Sequence, residues 1–409
     1  MRLPPGVRDW LPQEFAYKRE IEESIRGVFR RWSYTEVLTP TFESYETLEQ
    51  GLGEKLMQQT FRFTDPLGAS LALRTEMTTP IARVVSSRLR QASLPLRLSY
   101  VAPAFRYEEP QLGRMREFTQ AGAELIGAPG VGADAEALFM AIETLDAVGL
   151  SDARFDINDA AIVDGVLEST GLEGDDVFAC KQLIAARNLV GLRAFERVRA
   201  VNDRHFETLV RLTMLRGGED VIALARSICR TGSSKAALER LEDVLARAAR
   251  LGLRDRINID FALLRDLEYY TGFVFEGYIR DLGFSLCGGG RYDALLPRFG
   301  LDVPAVGWMI GVERILLALE RRREDERPRN EVDVLVSGSD AVAAQERAKG
   351  LRVRIDVLEL GREALLAYAR HKVIPRVVIV AVDGEREEIA IDVGDRAGFA
   401  SAGLYQAGL

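Results

Sequence analysis

Apolar residues recur at helical spacing from Gln13 to Trp32, where Ile21, Ile25, Val28, Phe29 and Trp32 share one face. Pro12 suits the first turn and Glu14 the positive end of the helix dipole. Two short strand-like runs, Phe61–Thr64 and Ser70–Arg74, flank Asp65-Pro66-Leu67-Gly68, a turn composition, so a hairpin is expected. Helical spacing returns from Thr78 to Arg90, with Pro80 tolerable only in the first turn. Leu96–Tyr107 and Met115–Ile126 read as strands joined by a polar loop, and Ala133–Val148 as a helix. Strand signals then vanish, and Arg, Glu and Ala at helical spacing predict an all-helical insertion over about 162–252. Strand patterns resume at Ile257–Phe261, Phe273–Tyr278 and Phe284–Cys287, the last followed by Gly288-Gly289-Gly290-Arg291. Ala305–Ile310 and a helix over Gly311–Arg322 close this unit.

The run Glu320–Asn330 is too charged to bury and contains Pro328, so 323–330 is expected to be a linker. Beyond it the pattern alternates: strand Val332–Val336, helix Asp340–Lys349, strand Val353–Leu358, helix Arg362–His371, then strands Val377–Val382 and Glu388–Val393. Alternation of this kind implies parallel pairing in a small α/β domain, 331–409. The larger unit, 1–322, carries hairpins and neighbouring strands. An α+β fold is expected there, an antiparallel sheet with flanking helices. The chain shows no internal repeat and no low-complexity tract.

Composition narrows the function classes. At 409 residues and 47% hydrophobic, the chain has ample length for two or three folded domains. No apolar run approaches the roughly 18 residues of a membrane span, and the first residues lack a signal-peptide pattern, so a cytoplasmic protein is expected. Cys180, Cys229 and Cys287 are far apart and form no CxxC pair, and His205 and His371 are the only histidines. Neither a zinc site nor a multi-histidine metal site is compatible with that count, and no cofactor is expected. The 54 basic and 62 acidic residues leave a net charge of −8, which disfavours a broad grip on nucleic acid but leaves room for a local basic patch.

Four constellations fall in or beside the expected sheet. In Leu73-Arg74-Thr75-Glu76-Met77-Thr78, Glu76 and Thr78 could accept hydrogen bonds from an ammonium group; a helix cap with acid in the first turn explains the same residues. Arg106 ends one strand, while Phe118, Gln120, Gly122 and Glu124 share a face of the next by period two. That row reads as a pocket floor or as polar positions on a solvated sheet. Arg265-Asp266-Leu267-Glu268-Tyr269-Tyr270 combines a carboxylate fork with aromatic walls, or is a β-edge with ordinary packing. Cys287-Gly288-Gly289-Gly290-Arg291-Tyr292-Asp293, with Gly311-Val312-Glu313-Arg314 downstream, lets backbone approach a ligand closely or simply turn. It is neither a GxxxxGK[ST] phosphate loop nor a GxGxxG fingerprint.

Taken together and in order, the four blocks resemble a known family. Arg106-Tyr107-Glu108 with its returning strand is similar to motif 2 of class II aminoacyl-tRNA synthetases, and Gly311-Val312-Glu313-Arg314 to motif 3. Arg265–Tyr270 and Gly289-Gly290-Arg291-Tyr292-Asp293 resemble the two signature peptides of histidyl-tRNA synthetase. The resemblance covers residues 1–320 and implies the histidyl-like catalytic fold. That fold also serves the regulatory subunits of ATP phosphoribosyltransferase, which are catalytically silent. Met77-Thr78-Thr79-Pro80-Ile81-Ala82-Arg83 is similar to the regulatory version, with Met77 where the synthetase has glycine, filling space beside the amino-acid site. Glu109 and Asp266 likewise replace synthetase residues, an arginine and a glycine. At roughly 6 Å and an effective dielectric near 20, each unit of charge is worth about 3 kcal/mol before screening, with the wrong sign for a polyanion. From Glu331 to Leu409, 10 basic residues face 13 acidic ones in a domain that is similar to an abbreviated anticodon-binding domain.

The regulatory resemblance implies no catalytic residue and no metal. It implies a histidine site in which Glu76, Thr78 and Gln120 take the ammonium, Arg265 and Gln120 the carboxylate, and Glu124 and Tyr270 the imidazole, with Tyr269 alongside. Arg106, Arg114 and Arg314 would be vestiges of an ATP site. The implied partners are a short-form ATP phosphoribosyltransferase catalytic subunit in a hetero-octamer, a second copy of this chain through the catalytic-fold domain, and L-histidine as effector, with no tRNA and no membrane. Because Arg106, Arg265 and Arg314 are retained, an active histidine–tRNA ligase stays open as the alternative.

Overall fold

The computed structural model describes residues 2–109, 115–199, 203–264, 270–280, 282–322 and 332–392. The chain divides into two units, Met1–Arg322 and Arg323–Leu409. The first unit contains, in chain order, β1 (Thr35–Glu36), β2 (Phe42–Ser44), β3 (Arg62–Thr64), β4 (Ser70–Leu73), β5 (Leu96–Phe105) and β6 (Glu117–Ile126). These are followed by β7 (Arg154–Asp159), β8 (Arg216–Gly217), β9 (Ile257–Asp260), β10 (Phe273–Tyr278), β11 (Cys287–Arg291) and β12 (Ala305–Gly311).

Nine of these strands form one sheet in the order β1-β5-β6-β12-β11-β10-β7-β9-β8. Its centre is antiparallel throughout, whereas β1 joins β5 and β7 joins β9 in parallel. The expected α+β class is borne out, with parallel pairs added toward the edges of an otherwise antiparallel sheet. The expected hairpin forms β3 and β4, and β2 completes a separate three-stranded sheet.

Strand alternation sorts the sheet into two chemically different faces. Ala121, Ala123 and Leu125 of β6, with Val306, Trp308 and Ile310 of β12, enter the main core. Helix Val131–Ala147 packs there across β6, β12, β11 and β10, with helices Pro12–Arg31 and Val312–Glu320 beside it. Helix Pro12–Arg31 forms as its pattern demands: proline opens it, and Ile21, Ile25, Val28 and Phe29 are buried. Each such side chain contributes about 1.5–3 kcal/mol on burial. The opposite face carries a smaller core in which Ile81 and Val85 of helix Thr78–Arg88 meet Leu98, Tyr100 and Ala102 of β5.

Three expectations need correction. The glycine run does not follow a strand; it is the strand, since β11 is Cys287–Arg291. A Cβ on Gly289 would lie 2.3 Å from the Gly307 carbonyl oxygen, so glycine is what lets β11 lie against β12. The insertion is not wholly helical, because β8 returns to pair with β9. Finally, β7 was not expected, although Phe155 and Ile157 alternate with Asp156 and Asn158 as a half-buried strand should.

The second unit holds β13 (Val334–Ser337), β14 (Val353–Ile355), β15 (Arg376–Val380) and β16 (Arg386–Ala390) in the order β14-β13-β15-β16. β13 pairs in parallel with β14 and β15, and β16 closes the sheet antiparallel. Helices Asp340–Ala348 and Arg362–His371 cover opposite faces, because Ala343 packs with Val334 and Val336 while Leu365 and Ala369 pack with Leu335 and Val377. The parallel pairing expected from alternation is present.

Glu346 ties this unit together. It is buried and pairs with Lys349, Arg376 and Arg386. Hydrogen bonds from Lys349 and Arg376 are the largest causes holding its carboxyl down at about 2, from an ordinary 4.5. A depressed acid stabilises the folded state above its unfolded value and loses that stability as pH falls toward the folded one. In thermal denaturation, the stability difference between the native chain and Glu346→Gln should be full above about pH 5. It should shrink steadily toward pH 2.

Candidate functional site

On the face opposite helix Val131–Ala147, a cavity opens over the sheet centre. Glu76, Thr78, Arg106, Gln120, Glu124, Tyr270, Tyr292, Gly307, Trp308 and Met309 line it. Period two on β6 places Gln120, Gly122 and Glu124 on the cavity side, as expected, with Gly307 opposite Glu124 across the β6–β12 pair. Helix Thr78–Arg88 supplies the rim.

Glu124 is the chemical centre. It is 1% exposed and has hydroxyl donors on both oxygens: Thr78 donates to Oε1 at 2.9 Å, Tyr100 to Oε1 at 3.3 Å, and Tyr292 to Oε2. Burial pushes its carboxyl up to about 8; the hydrogen bonds from Tyr292 and Thr78 oppose the shift without cancelling it. Near neutral pH the group is therefore held largely as a neutral acid. Gly307 makes the arrangement possible. A Cβ there would sit 1.7 Å from Glu124 Oε2.

Glu76 does both things its sequence context allowed. Its carboxylate accepts the backbone N–H of Thr78 at 2.6 Å and of Thr79 at 2.8 Å, capping the helix, and it still faces the cavity. Gln120 is 1% exposed, and its Oε1 accepts no hydrogen bond from the described residues. A buried amide oxygen without a donor costs about 1–3 kcal/mol, so it marks where a ligand N–H or water is wanted. Arg106 donates from Nε to the Thr75 carbonyl at 3.0 Å and lies 5.2 Å from the Phe118 ring centroid.

Of the residues singled out from sequence, Glu76, Thr78, Gln120, Glu124 and Tyr270 share this cavity, and Arg106 joins them. Arg314 does not line it; its guanidinium donates to the Ser285 carbonyl at 2.6 Å and sits 5.3 Å from the Phe284 ring. Arg265, Asp266, Tyr269 and Arg114 lie outside the described residues. Met77, expected to fill space beside the amino-acid site, is fully buried in the core that includes Tyr100 and Tyr292 and does not itself line the cavity. Sequence reasoning also missed Tyr100 and Tyr292 as Glu124 partners. Tyr292 stands in the quoted signature, but only folding shows which way its hydroxyl points. Among the described residues no cluster of His, Cys, Asp and Glu could hold a metal, and no helix is long and apolar enough to cross a membrane.

Residues 6–315 match the family model described as histidyl-tRNA synthetase. Fold and site thus define a histidyl-tRNA-synthetase-like protein, and the solved histidyl-tRNA synthetase of Nostoc sp. PCC 7120 shares its fold at a TM-score of 0.80. That structure is 24% identical, and the match covers 95% of this chain and 96% of that one. More similar in sequence is the ATP phosphoribosyltransferase regulatory subunit of Moorella thermoacetica, 42% identical over 365 residues, 89% of this chain and 93% of that protein. The subunit of the same name from Halothermothrix orenii is 40% identical, the match covering 89% of this chain and 87% of that one. A solved regulatory subunit/histidyl-tRNA synthetase from Bacillus halodurans C aligns at a TM-score of 0.80 and 30% identity, over 90% of this chain and 96% of that one. The chain belongs to the family of ATP phosphoribosyltransferase regulatory subunits.

Two outcomes follow from the geometry around Glu124. Gly307→Ala should displace the carboxylate and lower stability by about 1–3 kcal/mol, the usual cost of overpacking, read by chemical denaturation. A carboxyl whose folded value exceeds its unfolded one loses stability as pH rises between the two. Thermal scans of the native chain and Glu124→Gln should therefore show the variant gaining on the native chain from pH 5 to pH 9.

Proposed function

We propose that this chain is the non-catalytic regulatory subunit of a short-form ATP phosphoribosyltransferase in the cytoplasm. It would activate the catalytic subunit in the first step of L-histidine biosynthesis, the condensation of ATP with phosphoribosyl pyrophosphate, and bring it under feedback inhibition by histidine. The observation that carries the reading is the small polar cavity built on Glu124, in a chain whose relatives are named regulatory subunits. Glu76, Thr78 and Gln120 take the ammonium of histidine, Arg265 and Gln120 its carboxylate, and Glu124 with Tyr270 its imidazole, Tyr269 standing alongside. A neutral Glu124 donates to an unprotonated ring nitrogen, and an ionised one pairs with the imidazolium; either suits histidine over an apolar amino acid.

Catalysis belongs to the partner. Histidine binding shifts the complex between states with a coupling typically about 1–3 kcal/mol, and the same coupling acts in return on histidine affinity. Two copies of this chain pair through the first unit, where Phe42 and Phe63 stand exposed 6.0 Å apart on the small sheet, within a hetero-octamer. The exposed Glu109 and the acidic second unit disfavour tRNA. Arg106 in the cavity keeps adenylate formation, and so the ligase activity, as the second reading.

The two readings separate in one pair of assays. Purified protein should give no histidine-dependent pyrophosphate exchange with ATP, and it should raise the activity of a short-form transferase that histidine then suppresses. Robust exchange, or a transferase indifferent to this chain, overturns the proposal. Glu124→Ala should weaken histidine binding about ten- to a hundredfold by calorimetry, the usual cost of leaving a buried polar group without its hydrogen-bond partner.

A further inference from the structure

One pair of charged residues on the far side of the sheet is buried, contacts nothing in the cavity, and yet adjoins three segments that line it. Arg291, 7% exposed, ends β11. Its guanidinium reaches Asp134 at the start of helix Val131–Ala147, from Nε at 2.9 Å and from Nη2 at 2.7 Å. It also donates to Asp293 at 3.2 Å and to the carbonyls of Ala128 at 3.2 Å and Gly130 at 3.4 Å. Asp134 is 2% exposed. An unpartnered charge at such depth would be costly, so the pair fixes the helix start against the end of β11.

What lies next to Arg291 gives this a meaning beyond packing. Strand alternation turns Tyr292 to the opposite face, where its hydroxyl donates to Glu124. The Arg291 carbonyl accepts the N–H of Thr271 at 2.9 Å, and the Thr271 hydroxyl accepts the N–H of Asp293 at 3.1 Å, which anchors the segment carrying Tyr270. Asp293 accepts the N–H of Ala305 at 2.9 Å, two residues before Gly307. Tyr292, Tyr270 and Gly307, three of the cavity walls, are thus all tied to the backbone around one arginine.

We infer that Arg291 and Asp134 are positioning residues for the amino-acid cavity, holding Tyr292, Tyr270 and Gly307 in register with Glu124 from the helix side of the sheet. The inference rests on the reading of that cavity as a histidine site. Neither residue touches the ligand; a small rotation at the end of β11 would carry the Tyr292 hydroxyl out of hydrogen-bond range of Glu124.

Calorimetric titration of the full chain with L-histidine tests it. Asp134→Asn, which keeps the shape and loses the charge, should weaken histidine at least about tenfold. Arg291→Lys keeps charge but loses the forked contacts, and should do the same if the first variant fails to fold. Ile142→Val, a core change on the same helix, is the control for simple destabilisation and should leave affinity within about twofold. The double variant Asp134→Asn with Tyr292→Phe should lose less than the product of the single losses, because both act through the same hydroxyl. Variants that melt earlier but bind histidine like the native chain overturn the inference, as do losses that multiply independently or a control that weakens binding equally. A native chain that binds no histidine overturns the functional reading and this inference with it. That outcome is told apart because the others all begin from a binding native chain.

Discussion

A carboxylate shut away from water sits in the middle of the nine-stranded sheet, and most of the local architecture is what that group requires. Glu124 is almost inaccessible, and among its described hydrogen-bond partners are three hydroxyls rather than a cation. A buried carboxyl in such surroundings is easier to keep as a neutral acid than as an anion, which is the direction its proton affinity takes. To seat it, β12 gives up a side chain at Gly307, β5 contributes Tyr100, and the entry to helix Thr78–Arg88 supplies Thr78. Each of these residues would be an ordinary sheet or cap position elsewhere.

The two faces of the sheet divide the labour. One is filled by helices Pro12–Arg31, Val131–Ala147 and Val312–Glu320, and its packing is largely apolar. The other keeps a cavity, where Gly307 leaves room beside Gln120, Glu124, Tyr270 and Tyr292. Ion pairs brace the helix face at the strand ends. Arg291 and Asp134 do so near β11. At the far end of β6, Glu313 accepts the Thr119 N–H at 2.8 Å, next to Gln120, and approaches the buried Lys18 at 4.0 Å. Both pairs sit behind the strands that carry the cavity floor.

Glu76 shows how one residue can carry two explanations at once. Helix capping and ligand binding compete only when a carboxylate has too few lone pairs for both, and two backbone N–H groups leave capacity for a third donor. Met77 shows the reverse case. It has a single role, filling the small core beside the two tyrosines that hold Glu124.

Periodicity alone determined most of the elements: helix Pro12–Arg31, the β3–β4 hairpin, the β5–β6 pair and the alternation of the second unit. Their apolar spacing is a local property that packing had only to use. The cavity side of β6 was legible for the same reason, since period two puts Gln120 and Glu124 on one face whatever lies opposite. Only the tertiary structure decided that the glycine run is a central strand, because a strand without side chains has no pattern to read. It also decided that Tyr100 and Tyr292, about 190 residues apart in sequence, converge on one carboxylate. Hydroxyl direction, cavity volume and the burial that raises Glu124 are properties of several strands brought together, and no single segment encodes them.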